Sequence, residues 1–353
     1  MAPLTELISC ALLEKDCNGA NLFTWGYPAV TESQKTIVTR KYNLQSEKSN
    51  GLSFVFSRHQ NEWFYIYCSD ILESNTLPKV KQVATVIFSR EFHPQKYEIL
   101  CRVLSKTYCK TGSPVEVFKI YILVYTTGSC NFSENGSFIS DEFNTNLSKL
   151  NTNVRELIKT FELETILIYT ALLLKKKIIV YHHSVEQLLK WIQTFPALMT
   201  HHRVSLYLRP WVDLVEDELL ELKSHQYYVM GCTDSSISSK TELYDLLVNL
   251  PAREITVANH AKESLTMTKT HKEIALFLVQ LSENQTYSEA QIITEIADKT
   301  RDLLSQLTSI AKSETKEKKK TISARIIKEK NLAAAVENFL INLAIAENFV
   351  IVQ

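Results

Sequence analysis

The chain has 353 residues, 45% of them apolar and 22% charged, and its 39 basic residues are balanced by 39 acidic ones. This mixture excludes a disordered chain, leaves room for two modest domains or one large bilobal one, and weighs lightly against nucleic-acid binding. Seven cysteines are scattered, never in C-x-x-C spacing, so neither a disulfide framework nor a zinc ribbon is signalled and reduced, mostly buried thiols are expected.

In chain order, an apolar stretch at 7–14 reads as a strand. The DCNG turn at 16–19 leads to a second strand at 22–26, and a helix is expected over 32–41. Runs rich in Val, Ile and aromatics at 54–57, 63–68 and 83–88 predict three more strands, with a tight connection at 59–61. Two helices follow, 94–109 and 114–125, each with proline in its first turn. Residues 126–153 are dense in Ser, Asn and Thr and read as a linker between lobes.

Beyond it, LETILIYTALLL (163–174) is apolar around nearly its whole circumference, as a core helix would be. Three lysines, Lys175 to Lys177, sit where a helix end favours cations, and IIVYH (178–182) has the β-branched character of a strand buried on both faces. Ser184 and Gln187 form a capping box for a helix carrying Leu188, Leu189, Trp191 and Ile192, which Pro196 is expected to end. Further strands are predicted at 204–208, 227–231, 246–250 and 254–257. After Ala258 the period becomes helical, through Ile292, Ile296, Leu303, Leu307 and Ile310, then Leu332, Val336, Phe339 and Leu343. The charged stretch 313–330 between those helices reads as a solvated connection.

The longest nearly uninterrupted apolar run, around 166–174, falls short of the ~20 residues that span a bilayer. Acidic Glu6 and Glu14 flank the first apolar stretch, without the basic lead of a signal peptide. A cytoplasmic protein that reaches membranes only through partners is expected.

Motifs for bond chemistry do not occur. There is no G-x-x-x-x-G-K-S/T, no G-x-S-x-G and no H-E-x-x-H, and the seven glycines are not clustered, which argues against P-loop, kinase and dinucleotide-binding chemistry. No cofactor and no catalytic residue is expected. The pairs His182–His183 and His201–His202 invite a metal reading, but neighbours on a strand point to opposite faces, so exposed or helix-cap histidines and no metal site are expected. Asp213, Glu216, Asp217, Glu218 and Glu221 look like paired catalytic carboxylates. Asp213 as helix N-cap with Glu216 as its reciprocal acid explains them more simply.

Five segments, LLLKKKIIVYHHS (172–184), FPALMTHHR (195–203), WVDLVEDEL (211–219), YYVMGCTD (227–234) and LYDLLVNLPAREI (243–255), resemble in order and spacing the central part of a DENN domain, the module of exchange factors for Rab GTPases. The likeness extends from LLEKDCNG (12–19) and WGYP (25–28) through NGSFIS (135–140) to VENFL (336–340), and so resembles family members that are little more than the domain itself. It implies a bilobal α/β fold, α+β overall. A longin-like lobe of antiparallel sheet with helices (1–125) and a linker (126–155) would precede a central α/β lobe (156–258) and a helical C-terminal part (259–353).

The activity the resemblance implies is guanine-nucleotide release from a Rab GTPase acting in late-endosome positioning, maturation and secretion. The nucleotide-free Rab would be held in a groove between lobes. Such an exchange factor is regulatory and breaks no bond, so the missing motifs fit it. WGYP suits a contact: Tyr27 stands between a glycine and a proline at the end of its strand, so its ring emerges near an edge. Tyr27 is the expected principal GTPase contact, with Trp25 and Pro28 beside it and Trp25 partly structural. The alternative is a scaffold role in the Commander endosomal recycling assembly, with its coiled-coil subunits as partners. Either way the resemblance implies endosomal protein transport, from the cytoplasm and peripherally on late endosomes.

Overall fold

The computed structural model describes residues 2–47, 53–72, 74–132, 136–143, 152–310, 312–313, 320–323 and 333–352, and the chain divides into two units, 1–150 and 151–353. The first unit begins with β1 (Leu7–Asp16), β2 (Asn21–Tyr27) and helix α1 (Glu32–Glu47), followed by β3 (Phe54–His59), β4 (Glu62–Asp70) and β5 (Val80–Ser89). Asp16 makes the first turn: its carboxylate accepts the N–H groups of Asn18 and Ala20, both at 2.8 Å. The five strands form one antiparallel sheet in the order β2-β1-β5-β4-β3.

Helices α2 (Pro94–Thr111) and α3 (Pro114–Thr127) complete this layer. Tyr97 of α2 stacks on Tyr65, and Ser105 bonds Ser69, so α2 covers the face of β4 that carries those two residues. Tyr42 of α1 bonds Gln82, which pairs with Asp70 and lies on the opposite face. With both faces covered, the central strands are buried without alternation, from Cys10 to Leu13 and from Val83 to Ser89.

Part of the stretch read as a linker is ordered structure of the first unit. β6 (Ser129–Phe132) and β7 (Gly136–Ile139) make a hairpin in which the buried Cys130 and Phe138 face each other. Gly128, in the left-handed region, starts the hairpin, and a Cβ there would lie 2.2 Å from the carbonyl oxygen of Ala2. A few apolar residues scattered in a Ser- and Asn-rich run leave no period that marks these strands in the sequence.

The second unit opens with α4 (Val154–Phe161), a 3₁₀ turn (Glu162–Glu164) and α5 (Thr165–Leu173). Leu163 is exposed and the core helix starts at Thr165. β8 (Lys177–Tyr181), α6 (Val185–Ile192) and α7 (Thr194–Leu198) follow. Ser184 caps α6 by accepting the Gln187 N–H at 3.5 Å, but the reciprocal half of the box is replaced by His182 Nδ1, which accepts the Ser184 N–H at 2.9 Å. Pro196 lies inside the first turn of α7, where a missing N–H costs nothing, and does not mark the end of α6.

β9 (Leu208–Arg209), α8 (Glu216–Lys223), β10 (Tyr228–Cys232), β11 (Leu246–Asn249) and β12 (Glu254–Val257) complete a sheet in the order β12-β11-β8-β10-β9. β8 is central and pairs in parallel with β10 and β11; only β12 is antiparallel. The strand expected at 204–208 is mostly a 3₁₀ turn, Val204–Leu206, with two residues of β9 left to pair with β10. The chain then turns helical in α9 (Lys269–Glu283) and α10 (Glu289–Ile310), whose Ile292, Ile296, Leu303 and Leu307 are buried as their spacing implied.

After α10 come β13 (Lys312–Ser313), β14 (Lys320–Ser323), α11 (Ala334–Ala346) and β15 (Val350–Val352). β14 pairs with β13 and, in parallel, with β15, so part of the charged stretch 313–330 is sheet; the rest of it, and Leu332, lie outside the described residues. Across both units all seven cysteines are free thiols. Five are buried, and burial pushes the Cys10 thiol up to about 12.

Candidate interaction surface

β2 is an edge strand of the first sheet, paired on one side only, and Tyr27 at its end faces Cys10 of β1. The strand alternates half-buried and exposed residues, as a strand with one covered face does. Tyr27 is 42% exposed, Trp25 is half-buried, and Pro28, joined to Tyr27 by a cis peptide bond, is exposed. All three residues therefore reach the surface, Trp25 less than the other two.

They do not stand alone. The Tyr27 ring meets Phe118 of α3 edge-on with centroids 4.8 Å apart and Tyr121 at 6.0 Å, Trp25 approaches Phe118 at 6.3 Å, and Tyr121 stacks on Tyr125 at 6.3 Å. α3 buries Val117, Ile120, Tyr121 and Val124, one stripe at helical spacing. Val115 and Tyr125 are exposed on the flank that carries Phe118, and Leu123 on the opposite flank. The result is an aromatic and aliphatic surface shared by β2 and α3, with the Tyr27 hydroxyl as a polar tip. Rings held edge-on by one another present area at little conformational cost, the profile of residues that dominate protein interfaces.

The remaining candidates resolve differently. α8 starts after Val215, so Asp213 is not its N-cap; Glu218 Oε2 instead accepts the Asp213 N–H at 3.0 Å. Glu221 pairs at 3.2 Å with Arg209, whose guanidinium is buried, and desolvation lowers its pKa while the carboxylate opposes that shift. Glu218 and Glu221 are thus engaged in local structure. His182 and His183 lie past the end of β8, and their rings stack at 4.4 Å rather than pointing apart. Burial and then the neighbouring His183 lower the His182 pKa. His201 and His202 sit in a turn and not a strand, and His202 is buried, contrary to the expectation of exposed or capping side chains.

Comparison with known proteins agrees with this architecture. A family profile described as stabilization of polarity axis (SPA) matches residues 151–259, the part of the second unit that holds the mixed sheet. DENN domain-containing protein 10 of Danio rerio is 38% identical over 347 residues, covering 98% of this chain and 99% of the relative. The protein of the same name from Homo sapiens is 37% identical, with 97% and 96% covered, and that from Dictyostelium discoideum is 30% identical, with 96% of each covered. The chain belongs to the DENN domain-containing protein 10 family.

Membership spans both units, so the β2–α3 surface and the mixed sheet belong to one family architecture. Phe118, Tyr121 and Tyr125 were not singled out from the sequence. The signal was present in VFKIYILVY, an apolar run with too few polar residues to mark which helix face is buried. Among the described residues no helix is long and apolar enough to cross a membrane.

Proposed function

We propose that this protein is a guanine-nucleotide exchange factor for a Rab GTPase, and that Tyr27, Trp25 and Pro28 form part of the surface that holds the nucleotide-free GTPase. The observation that supports this most is the exposed Tyr27 ring, braced by Phe118 and Tyr121 at a sheet edge in a member of the DENN family. The reading is regulatory and not catalytic in the bond-making sense. Binding the empty GTPase more tightly than the loaded one weakens its nucleotide by the same free energy. Each tenfold acceleration of GDP release requires ~1.4 kcal/mol of preferential stabilisation of the release transition state. A few rigid aromatic anchors supply free energies of that size.

The setting we propose is the cytoplasmic face of late endosomes, with membrane association borrowed from the GTPase, in endosome positioning, maturation and secretion. The alternative reading is a binding subunit of the Commander recycling assembly. The exposed flank of α3 that carries Val115 and Tyr125 suits a partner helix as well as a GTPase loop.

The test is release of fluorescent GDP from a panel of purified late-endosomal and secretory Rabs. Wild type is expected to accelerate one or a few of them. Tyr27→Ala is expected to lose ~2 kcal/mol of engagement, about 30-fold, while its thermal midpoint stays close to wild type, because the ring is only partly buried. No acceleration of any Rab by a well-folded protein would move the assignment to the scaffold reading. A variant that melts far earlier would make Tyr27 a packing residue.

A further inference from the structure

The turn after α7 and the turn after α11 are 146 residues apart in sequence yet meet in the second unit. His201 Nε2 lies 2.9 Å from Glu347 Oε2, and His202 Nε2 lies 3.4 Å from Glu347 Oε1. One ligand atom from each of the three side chains falls within 4.8 Å of the other two. Zn²⁺ bound at about 2.0 to 2.2 Å to imidazole nitrogen and carboxylate oxygen holds its donors roughly 3.3 Å apart, so small side-chain rotations suffice to close the set.

The hydrogen bonding leaves this corner incomplete without an ion. His202 Nε2 also faces the carbonyl oxygen of Leu173 at 3.0 Å, and one imidazole proton serves that oxygen or Glu347, not both. Glu347 Oε1 is buried and makes no hydrogen bond. Lys175 donates its ammonium to the Ala346 carbonyl at the end of α11 and lies over the Tyr227 ring. Ligation through His202 Nε2 requires the ring proton to sit on Nδ1, so that an ion takes the place of the N–H donated to the Leu173 carbonyl. His201 is 37% exposed at its side chain, which gives an ion a way in and leaves a coordination position for water.

We propose that His201, His202 and Glu347 form a binding site for a divalent transition-metal ion of the Zn²⁺ class, which fastens the C-terminal end of α11 to the turn after α7. Two imidazoles and one carboxylate match the nitrogen and oxygen preferences of such ions, and differ from the all-oxygen sets of Ca²⁺ and Mg²⁺. Adjacent histidines can converge here because both lie in a turn, where the alternation of a strand does not apply.

Isothermal titration of the purified, chelator-stripped full chain with ZnCl₂ tests this, with MgCl₂ as control, beside Glu347→Gln and His201→Ala. One equivalent of Zn²⁺ and no Mg²⁺ should bind wild type, and Zn²⁺ in excess should raise its thermal midpoint by about 2 °C or more. Each variant should weaken binding at least tenfold. Glu347→Gln keeps the shape of the side chain, and His201 is part-exposed, so both should stay folded. Co²⁺ substitution adds a readout that a merely structural ion pair would not give: visible absorption of a site with nitrogen and oxygen ligands and no thiolate band. No Zn²⁺ binding by wild type would overturn the proposal. So would binding that survives both variants, or a thiolate band, which would move the ion to one of the seven cysteines.

Discussion

A methyl group at Gly231 would sit 1.9 Å from the carbonyl oxygen of Pro210 and 3.0 Å from Ile192 Cδ1. The backbone of β10 approaches the chain leaving β9 so closely because Val212 N–H donates to Gly231 O at 2.9 Å. Glycine within a strand often marks such an approach. A backbone carbonyl cannot swing aside as a flexible side chain does, so Gly231→Ala should cost ~3 kcal/mol or more, read as a lower urea midpoint at an unchanged slope. An unaltered midpoint would show that β9 moves freely. The same logic separates Tyr27 from its neighbours: it touches Phe118 and Tyr121 but keeps 42% of its surface, so its loss should register in binding before it registers in folding.

Among the elements, α9 has an unusual start. Thr268 Oγ1 accepts the His271 N–H at 3.4 Å, while His271 Nδ1 accepts the Thr268 N–H at 3.0 Å, a capping box in which histidine replaces the usual acid or amide. Because Nδ1 accepts, the neutral ring carries its proton on Nε2, which is buried without a hydrogen bond, and the ring meets Phe339 of α11 edge-on at 4.4 Å. Burial lowers the His271 pKa to about 4, against ~6.5 in an unfolded chain. Between those values the unfolded chain binds the proton and the folded one does not. Stability is therefore complete above about pH 6.5 and falls as pH drops toward 4, by up to ~3 kcal/mol from this residue. Urea unfolding at a series of pH values should show that fall, and His271→Gln, which keeps an acceptor, should flatten it. An unchanged slope in the variant would assign the effect to other histidines, of which His93, His182 and His202 are also shifted downward.

This box was not legible in sequence, since T-x-x-H is not the pattern that announces one, and the ring contact with Phe339 is tertiary. What was legible follows from period and punctuation. The strands of the first sheet stood out because Val, Ile and aromatics fill them and turn residues bound them. α5 and β8 stood out because they are apolar on all sides. The segment 204–208 misled because VSLYL mimics alternation, yet only its last residue enters a strand, β9. At the candidate surface, Tyr27 was visible from the proline after it, whereas Phe118 is brought to it only by the packing of α3 on β1. His201 and Glu347 are joined the same way, across 146 residues.

For the molecule as a whole, the division at 150/151 separates two sheets with different rules: antiparallel throughout in the first unit, mostly parallel in the second. The first unit holds its own buried layer between α1 and α2. A fragment of residues 1–150 should accordingly unfold in one cooperative urea transition, seen by circular dichroism and tryptophan fluorescence together. A broad, probe-dependent transition would show that its core needs the rest of the chain.

The parallel sheet also sets an order of events during synthesis. β8 leaves the ribosome with neither neighbour yet made: Lys177 must wait for Tyr228, and Ile178 for Leu246. Through that interval the segment Lys177–Tyr181 is an apolar ribbon with two unpaired edges, the type of segment that stacks with copies of itself. Lys175, Lys176 and Lys177 stand at its entrance, and like charges brought together in a stack repel. The basic knot that follows a helix in the finished protein thus also suits the nascent chain, as a gatekeeper for the strand of this sheet that is made first and waits longest for its partners.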